Sequence, residues 1–221
     1  LDIWINADLT YAIKNTVIVA GLADFITVLL GLLMVYGIRL SGRSLPQAIL
    51  PLTTIGYAAP GAVLGIGILV PLGIVDNWVA DRVLDLTGYD PGLIFTGTAF
   101  AIILAYCIRF FSIAQHTVDG AFGRISPSLP NAAQSLGRNK LQVLLQIYHP
   151  LISTSTATAL LLIFVDCVKE LPATMLLRPF NFETLATRVH VQASLEDLPN
   201  AAPGSILIVV ISLCAVFLLA R

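Results

Sequence analysis

Charge is what this sequence has least of. Asp, Glu, Lys and Arg make up 11% of its 221 residues, against about 25% in an ordinary soluble domain. A soluble globule with so few charges could not cover its own surface. The 12 Lys and Arg nearly balance the 13 Asp and Glu, for a formal net charge of −1, which excludes a basic nucleic-acid binder. Cysteine is scarce as well. Cys107, Cys167 and Cys214 lie in apolar runs and none forms a CxxC, so neither a disulfide scaffold nor a zinc site is indicated. There is no P-loop, no cofactor motif and no nucleophile–base pair. What the chain has in abundance is apolar surface: 57% hydrophobic residues and a mean hydropathy of +0.89. That excludes a disordered chain and points to lipid as the solvent.

A membrane helix needs about 20 mostly apolar residues at ~1.5 Å each. Five stretches meet or approach that length: Lys14–Ile38, Ile49–Val75, Leu93–Phe111, Ser155–Thr174 and Ala201–Ala220. Residues 1–13, with Trp4, Asp8 and Tyr11, read as an interfacial lead-in. The first residue is Leu, and no signal peptide is visible; the chain reads as a fragment. Arg39 and Arg43 follow the first span, Arg109, Arg124, Arg138 and Lys140 follow the third, and Arg221 follows the fifth. Asp76, Asp81, Asp85 and Asp90 follow the second, and Glu183, Glu196 and Asp197 the fourth. The positive-inside rule then puts 39–48, 112–150 and the C-terminus in the cytoplasm, and the N-terminus, 76–92 and about 175–200 outside. The expectation is an all-α, five-span bundle forming one membrane domain over 1–221.

The long cytoplasmic segment is the region most apt to carry function. Within 128–151, Ser128 is a plausible N-cap, Pro130 is tolerated in a first turn, and Asn131 falls where a capping box places Glu or Gln. A short helix Leu129–Leu136 should stop at Gly137. A second follows, with Leu141, Leu144, Leu145 and Tyr148 on one stripe, and Pro150 marks the turn into the fourth span. Two short helices then meet at a glycine beneath the bilayer. Ala132, Ala133 and Gly137 leave a low surface that another protein could approach closely. The alternative is a helix pair that only closes a loop.

This segment resembles the cytoplasmic signature of ABC importer permeases, E-A-A-x-x-x-G followed after nine residues by I-x-L-P. Ala132, Ala133, Gly137, Ile147 and Pro150 match it in type and spacing, with Asn131 in place of the Glu and His149 in place of the Leu. Residues 164–180, FVDCVKELPATMLLRPF, and 184–189, TLATRV, resemble the permeases of ferric-iron ABC importers. The resemblance implies most of the C-terminal half of a two-half permease with the type I importer fold, in the bacterial inner membrane. It implies a coupling helix at 131–150 that contacts an ATP-binding cassette subunit. It implies an extracytoplasmic solute-binding protein and a second permease half as further partners. ATP and magnesium would sit on the partner subunit, with no cofactor on this chain. Transport of ferric iron is the implied activity. Another solute such as thiamine, a polyamine or a phosphonate is the alternative within the class, and an ATP-independent channel or secondary transporter the alternative outside it.

Charges inside spans are costly unless paired or hydrated. Asp166, Lys169 and Glu170 share a helix face by their spacing, near the outer end of the fourth span. Pro172 bends or ends that helix about one turn earlier. The cluster reads either as a gate lining the translocation path or as a structural ion pair. Asp24, in mid-span, reads as an interior hydrogen bond to a neighbouring helix. Gly61, Gly65 and Gly67 read as a close helix-packing surface. His116, His149 and His190 lie in three separate segments, and Ser153–Thr156 offers hydroxyls for local backbone groups.

Overall fold

The computed structural model describes residues 7–41 and 50–219. Within them lie α1 (Ala7–Ser41), a 3-10 turn (Leu50–Thr53), α2 (Thr54–Ala58), α3 (Gly61–Thr87) and α4 (Phe100–Gly123). After these come α5 (Ser128–Ser135), α6 (Lys140–Val143), a π-helical turn (Leu144–Tyr148), α7 (His149–Val168), α8 (Pro172–Leu177), α9 (Leu185–Ser194) and α10 (Leu198–Leu219). No strand occurs among the described residues. Five helical stretches are long and apolar enough to cross a membrane: Asp8–Arg39, Gly61–Thr87, Phe100–Gly123, Lys140–Val168 and Leu198–Leu218.

The core forms where α1, α4 and α7 pack together. Ala23, Ala101, Ala105, Ala114 and Ala159 are fully buried there. Small residues let helix backbones approach closely, which matters where lipid removes the hydrophobic drive for association. Ile102, Tyr106, Ile163 and Val168 fill the remaining space. The opposite faces are just as apolar and exposed. Leu22, Phe25, Leu29 and Leu33 line the outside of α1, Val63, Ile66, Val70 and Ile74 that of α3, and Val209, Leu213, Val216 and Phe217 that of α10. Continuous apolar surface of this extent is untenable in water and ordinary in lipid.

Four spans depart from their sequence-based boundaries. The first extends back through residues 8–13, because Leu9 and Ala12 bury against Leu185; the lead-in belongs to the helix. The second runs from Gly61 to Thr87, not from Ile49 to Val75. Pro60 sets the start, since the residue before a proline is pushed out of the helical region, and Ala59 is extended with ψ 135°. Asp76 therefore lies within α3. It is tolerated because it accepts hydrogen bonds from the backbone N–H groups of Ile94, Phe95 and Thr96, at 2.9, 2.8 and 2.6 Å, and from the Thr96 hydroxyl. Asp81 and Asp85 are likewise helical. The third runs from Phe100 to Gly123, not from Leu93 to Phe111, so residues 112–123 continue the helix. The fourth ends at Val168 rather than Thr174 and begins well before Ser155, which changes the reading of Pro150. No turn forms there; one helical stretch runs from Lys140 to Val168. The π turn just before α7 widens the spiral where Pro150 has no N–H to give. Ile49, Arg43, Ala220 and Arg221 lie outside the described residues.

Near the N-terminal end of α1, α9 hooks onto it. Thr184 and Thr187 form its capping box. Leu185 N–H donates to Thr16 Oγ1 at 2.8 Å, Asn15 Nδ2 donates to the Glu183 carbonyl at 3.0 Å, and Arg188 lies 3.6 Å from Glu183.

Candidate functional site

The intramembrane charges divide into two pairs. Asp166 and Lys169 form an ion pair at 2.7 Å, with the lysine side chain 59% exposed. Glu170 leaves that face altogether. α7 ends at Val168, so Glu170 no longer follows its register, and its carboxylate lies 3.2 Å from Nε of Arg109 on α4. Both side chains are largely enclosed. Arg109 Nη1 also donates to the Ala59 carbonyl at 2.9 Å, and Glu170 Oε1 accepts from the Ala173 N–H at 3.3 Å. Pro172 opens α8 as its first residue. The Thr174 hydroxyl donates to the Glu170 carbonyl at 2.9 Å and meets the Tyr106 hydroxyl at 2.6 Å. A break in one helix is thus stitched to its neighbours by a charged pair and two hydroxyls.

Gly61 belongs to this arrangement. A Cβ there would stand 2.6 Å from Glu170 Oε1, 3.2 Å from Arg109 Nη1 and 3.3 Å from Pro172 Cβ. The absence of a side chain is what admits the ion pair. Gly65 packs equally closely, on Leu176 and Ala173, whereas Gly67 faces open space. Sequence reasoning missed Arg109 as a partner. It counted that residue, at the end of the third span, among the cytoplasmic charges. Arg109 instead lies nine residues into α4, roughly 14 Å along its axis. The signal available was an arginine inside an apolar run, which has to find a counter-charge. Asp24 is the opposite case: it is buried, yet its Oδ1 has no hydrogen-bond partner among the described residues, so the expected interhelical bond to that oxygen is not formed.

The second constellation is the foot formed by α5 and α6. Ser128 is the first helical residue rather than the cap, which is Pro127. Gly137 sits in the left-handed region at φ 84°. Arg138 N–H reaches back to the Ala133 carbonyl at 3.0 Å and Gly137 N–H to Gln134 at 2.9 Å. This is a Schellman ending, with glycine where a Cβ would strain the backbone. Asn139 then opens α6 with a reciprocal capping box to Gln142. Asn131 and Ala132 are exposed and Ala133 half-buried on α5; Ile147 is half-buried in the π turn and Pro150 exposed at the start of α7. The apolar stripe divides: Leu141 and Leu145 are exposed, Leu144 and Tyr148 pack on the bundle, and Val143 is fully buried.

Aromatic rings fasten the foot to the bundle. Tyr148 packs against Tyr36 of α1 and Phe122 of α4, with ring centroids 5.8 and 4.7 Å apart. The Tyr36 hydroxyl donates to the Lys140 carbonyl. These contacts tie the start of α6 to α1, and the π turn that follows it to the ends of α1 and α4.

The sequence profile of the family described as "Binding-protein-dependent transport system inner membrane component" matches residues 27–221. The chain belongs to that family. Among named relatives, this permease is 30% identical over 210 residues to the Fe(3+)-transport system permease protein FbpB 2 of Haemophilus influenzae, covering 95% of this chain and 38% of that one. It is 25% identical over 222 residues to the sulfate transport system permease protein CysT of Salmonella typhimurium, covering 98% and 77%. The chain thus spans under two fifths of the length of the ferric-iron permease. Two solved structures of a bacterial alginate ABC transporter share the fold. One aligns with a TM-score of 0.70 at 17% identity, over 98% of this chain and 80% of that one. The other, in complex with alginate pentasaccharide-bound periplasmic protein, aligns with a TM-score of 0.66 at 20% identity, over 95% and 77%. The permease is a multi-pass inner-membrane protein with the type I ABC importer fold.

Proposed function

We propose that this chain contributes to the translocation path of an ATP-driven importer of ferric iron. In this reading α5 and α6, with Asn131, Ala132, Ala133 and Gly137 at the surface, seat in an ATP-binding cassette subunit that carries ATP and magnesium. This chain hydrolyses nothing itself. A solute-binding protein delivers cargo from outside, and a second permease half completes the path. Arg109 and Glu170, with Gly61 and Pro172, form the constriction, and Asp166 and Lys169 flank it. Closure of the ATP-binding subunits moves the foot, and the bundle switches between inward-open and outward-open arrangements.

The observation that carries the reading is the tie between the foot and the bundle through Tyr36, Phe122 and Tyr148. A loop that merely joined two spans would need no such fastening. Iron is favoured by the resemblance at 164–189 and by the ferric-iron permease relative. Sulfate is the second reading, favoured by a relative that matches over nearly the whole chain. The test is co-purification of the full permease with an ATP-binding subunit, followed by uptake of iron and of sulfate in vesicles supplied with binding protein. ATP-dependent iron uptake supports the proposal. Sulfate uptake alone would replace iron with sulfate, and uptake without any ATP-binding subunit would end the importer reading.

A further inference from the structure

A groove of about 590 Å³ opens between the lower half of α4 and the lower end of α7. Its walls are His116, Thr117 and Gly120 of α4 with Arg124 just past the helix end, and Thr154, Ser155 and Thr158 of α7. Arg124 marks its lower rim and donates to Ser155 Oγ at 2.8 Å. His116 lies seven residues before Gly123, roughly 10 Å from the end of α4 along its axis. An imidazole, a guanidinium and a row of hydroxyls on one face would be poorly placed against acyl chains, so this face suits water. Arg109 stands seven positions above His116, on nearly the same side of α4. The groove thus continues the constriction toward the cytoplasm.

Its charge has one sign. Arg124 has no acidic partner among the described residues, and no carboxylate lines the groove. The nearby Asp119 is engaged by Arg39 at 2.8 Å. Asp166 lies eleven residues above Ser155 on the other helix and is paired with Lys169; Glu170 is paired with Arg109. The Thr158 hydroxyl donates to the Thr154 carbonyl at 3.0 Å, while His116 makes no hydrogen bond among the described residues. A bare ferric ion calls for carboxylate or phenolate oxygens. A guanidinium, an imidazole and hydroxyl donors suit an oxyanion.

We propose that this groove is the cytoplasmic exit of the path and that it accommodates solute bearing oxyanion groups. The solute is either a free oxyanion or iron carried within an anionic oxygen chelate. The inference rests on the path assignment above but is tested without transport. In the full-length permease with its ATP-binding subunit, other accessible cysteines being replaced, Thr158→Cys is treated with an anionic (sulfonatoethyl) and a cationic (trimethylammonioethyl) methanethiosulfonate. Normalised to a free thiol, the anionic reagent reacts faster by roughly tenfold, as expected for a positive charge within about 10 Å in a partly aqueous cleft. Arg124→Gln brings the ratio close to one. Sulfate, 2-aminoethylphosphonate and ferric citrate are then tested as protectants, with citrate alone as control. Protection by either free oxyanion identifies that source, and protection by ferric citrate but not citrate identifies the chelate. Failure of both reagents to react places the face in lipid and overturns the proposal. So do equal or cation-favouring rates, and so does an absence of protection by all three probes. Uptake without an ATP-binding subunit would defeat the importer reading and leave these labelling results standing.

Discussion

Arg109→Met leaves the Glu170 carboxylate enclosed without its counter-charge. Breaking one side of a buried pair costs about 3–5 kcal/mol, and this pair is enclosed on both sides, at 19% and 8% side-chain exposure. The remaining contact of Glu170 Oε1, a 3.3 Å bond to the Ala173 N–H, offsets little of that cost. Glu170→Gln is milder, because the amide still accepts at Ala173, and about 1–3 kcal/mol is expected. The double variant Arg109→Met/Glu170→Met removes both charges and should return to within about 2 kcal/mol of the parent. Thermal unfolding in detergent reads these differences, and vesicle uptake reads function. A gate predicts that the double variant recovers stability but not coupled uptake. A pair that only fixes packing predicts that it recovers both. Additive destabilisation, with no coupling between the two positions, would refute the claim that these residues interact at all.

Three further outcomes follow from the geometry. Gly61→Ala forces a Cβ to within 2.6 Å of Glu170 Oε1; it should lower stability by about 1–3 kcal/mol and suppress uptake, whereas Gly67→Ala, which meets nothing, should do neither. Gly137→Val places a β-branched residue at φ 84°, at about 1–2 kcal/mol of local strain; co-purification with the ATP-binding subunit should fall while membrane insertion is unchanged. Asp76→Ala removes the shared acceptor of three backbone N–H groups, and amide exchange at 94–96 should accelerate roughly tenfold or more.

Much of this architecture can be read from the residues. Long apolar runs mark spans because the bilayer sets their length, and a glycine after an eight-residue helix marks the foot because few other residues hold a left-handed ending. Proline proved harder to read. Pro60 starts a span, Pro150 is absorbed by a π turn, and Pro172 begins a new helix; the same residue type serves three ends because the neighbouring backbone decides what is done with a missing N–H. The charged site was half legible. Asp166, Lys169 and Glu170 are contiguous enough to notice, but the partner of Glu170 lies sixty-one residues earlier, and only tertiary packing brings Arg109 to it. The Tyr36–Phe122–Tyr148 cluster was invisible for the same reason. Residues that look alike in a periodic pattern, Leu141 and Tyr148, diverge once one is left exposed and the other meets rings.

The stretch from Lys140 to Val168 counts 29 residues, or about 43 Å of continuous helix. It has the proportions of a push-rod. One extremity carries the foot and the other stops two residues short of Glu170, with no slack loop between. A tilt of about 5° over that length shifts one extremity sideways by roughly 4 Å, which exceeds the 3.2 Å separating Glu170 from Arg109. In the proposed importer, a small rocking motion at the foot would translate by simple leverage into the distance needed to pull that pair of charges apart.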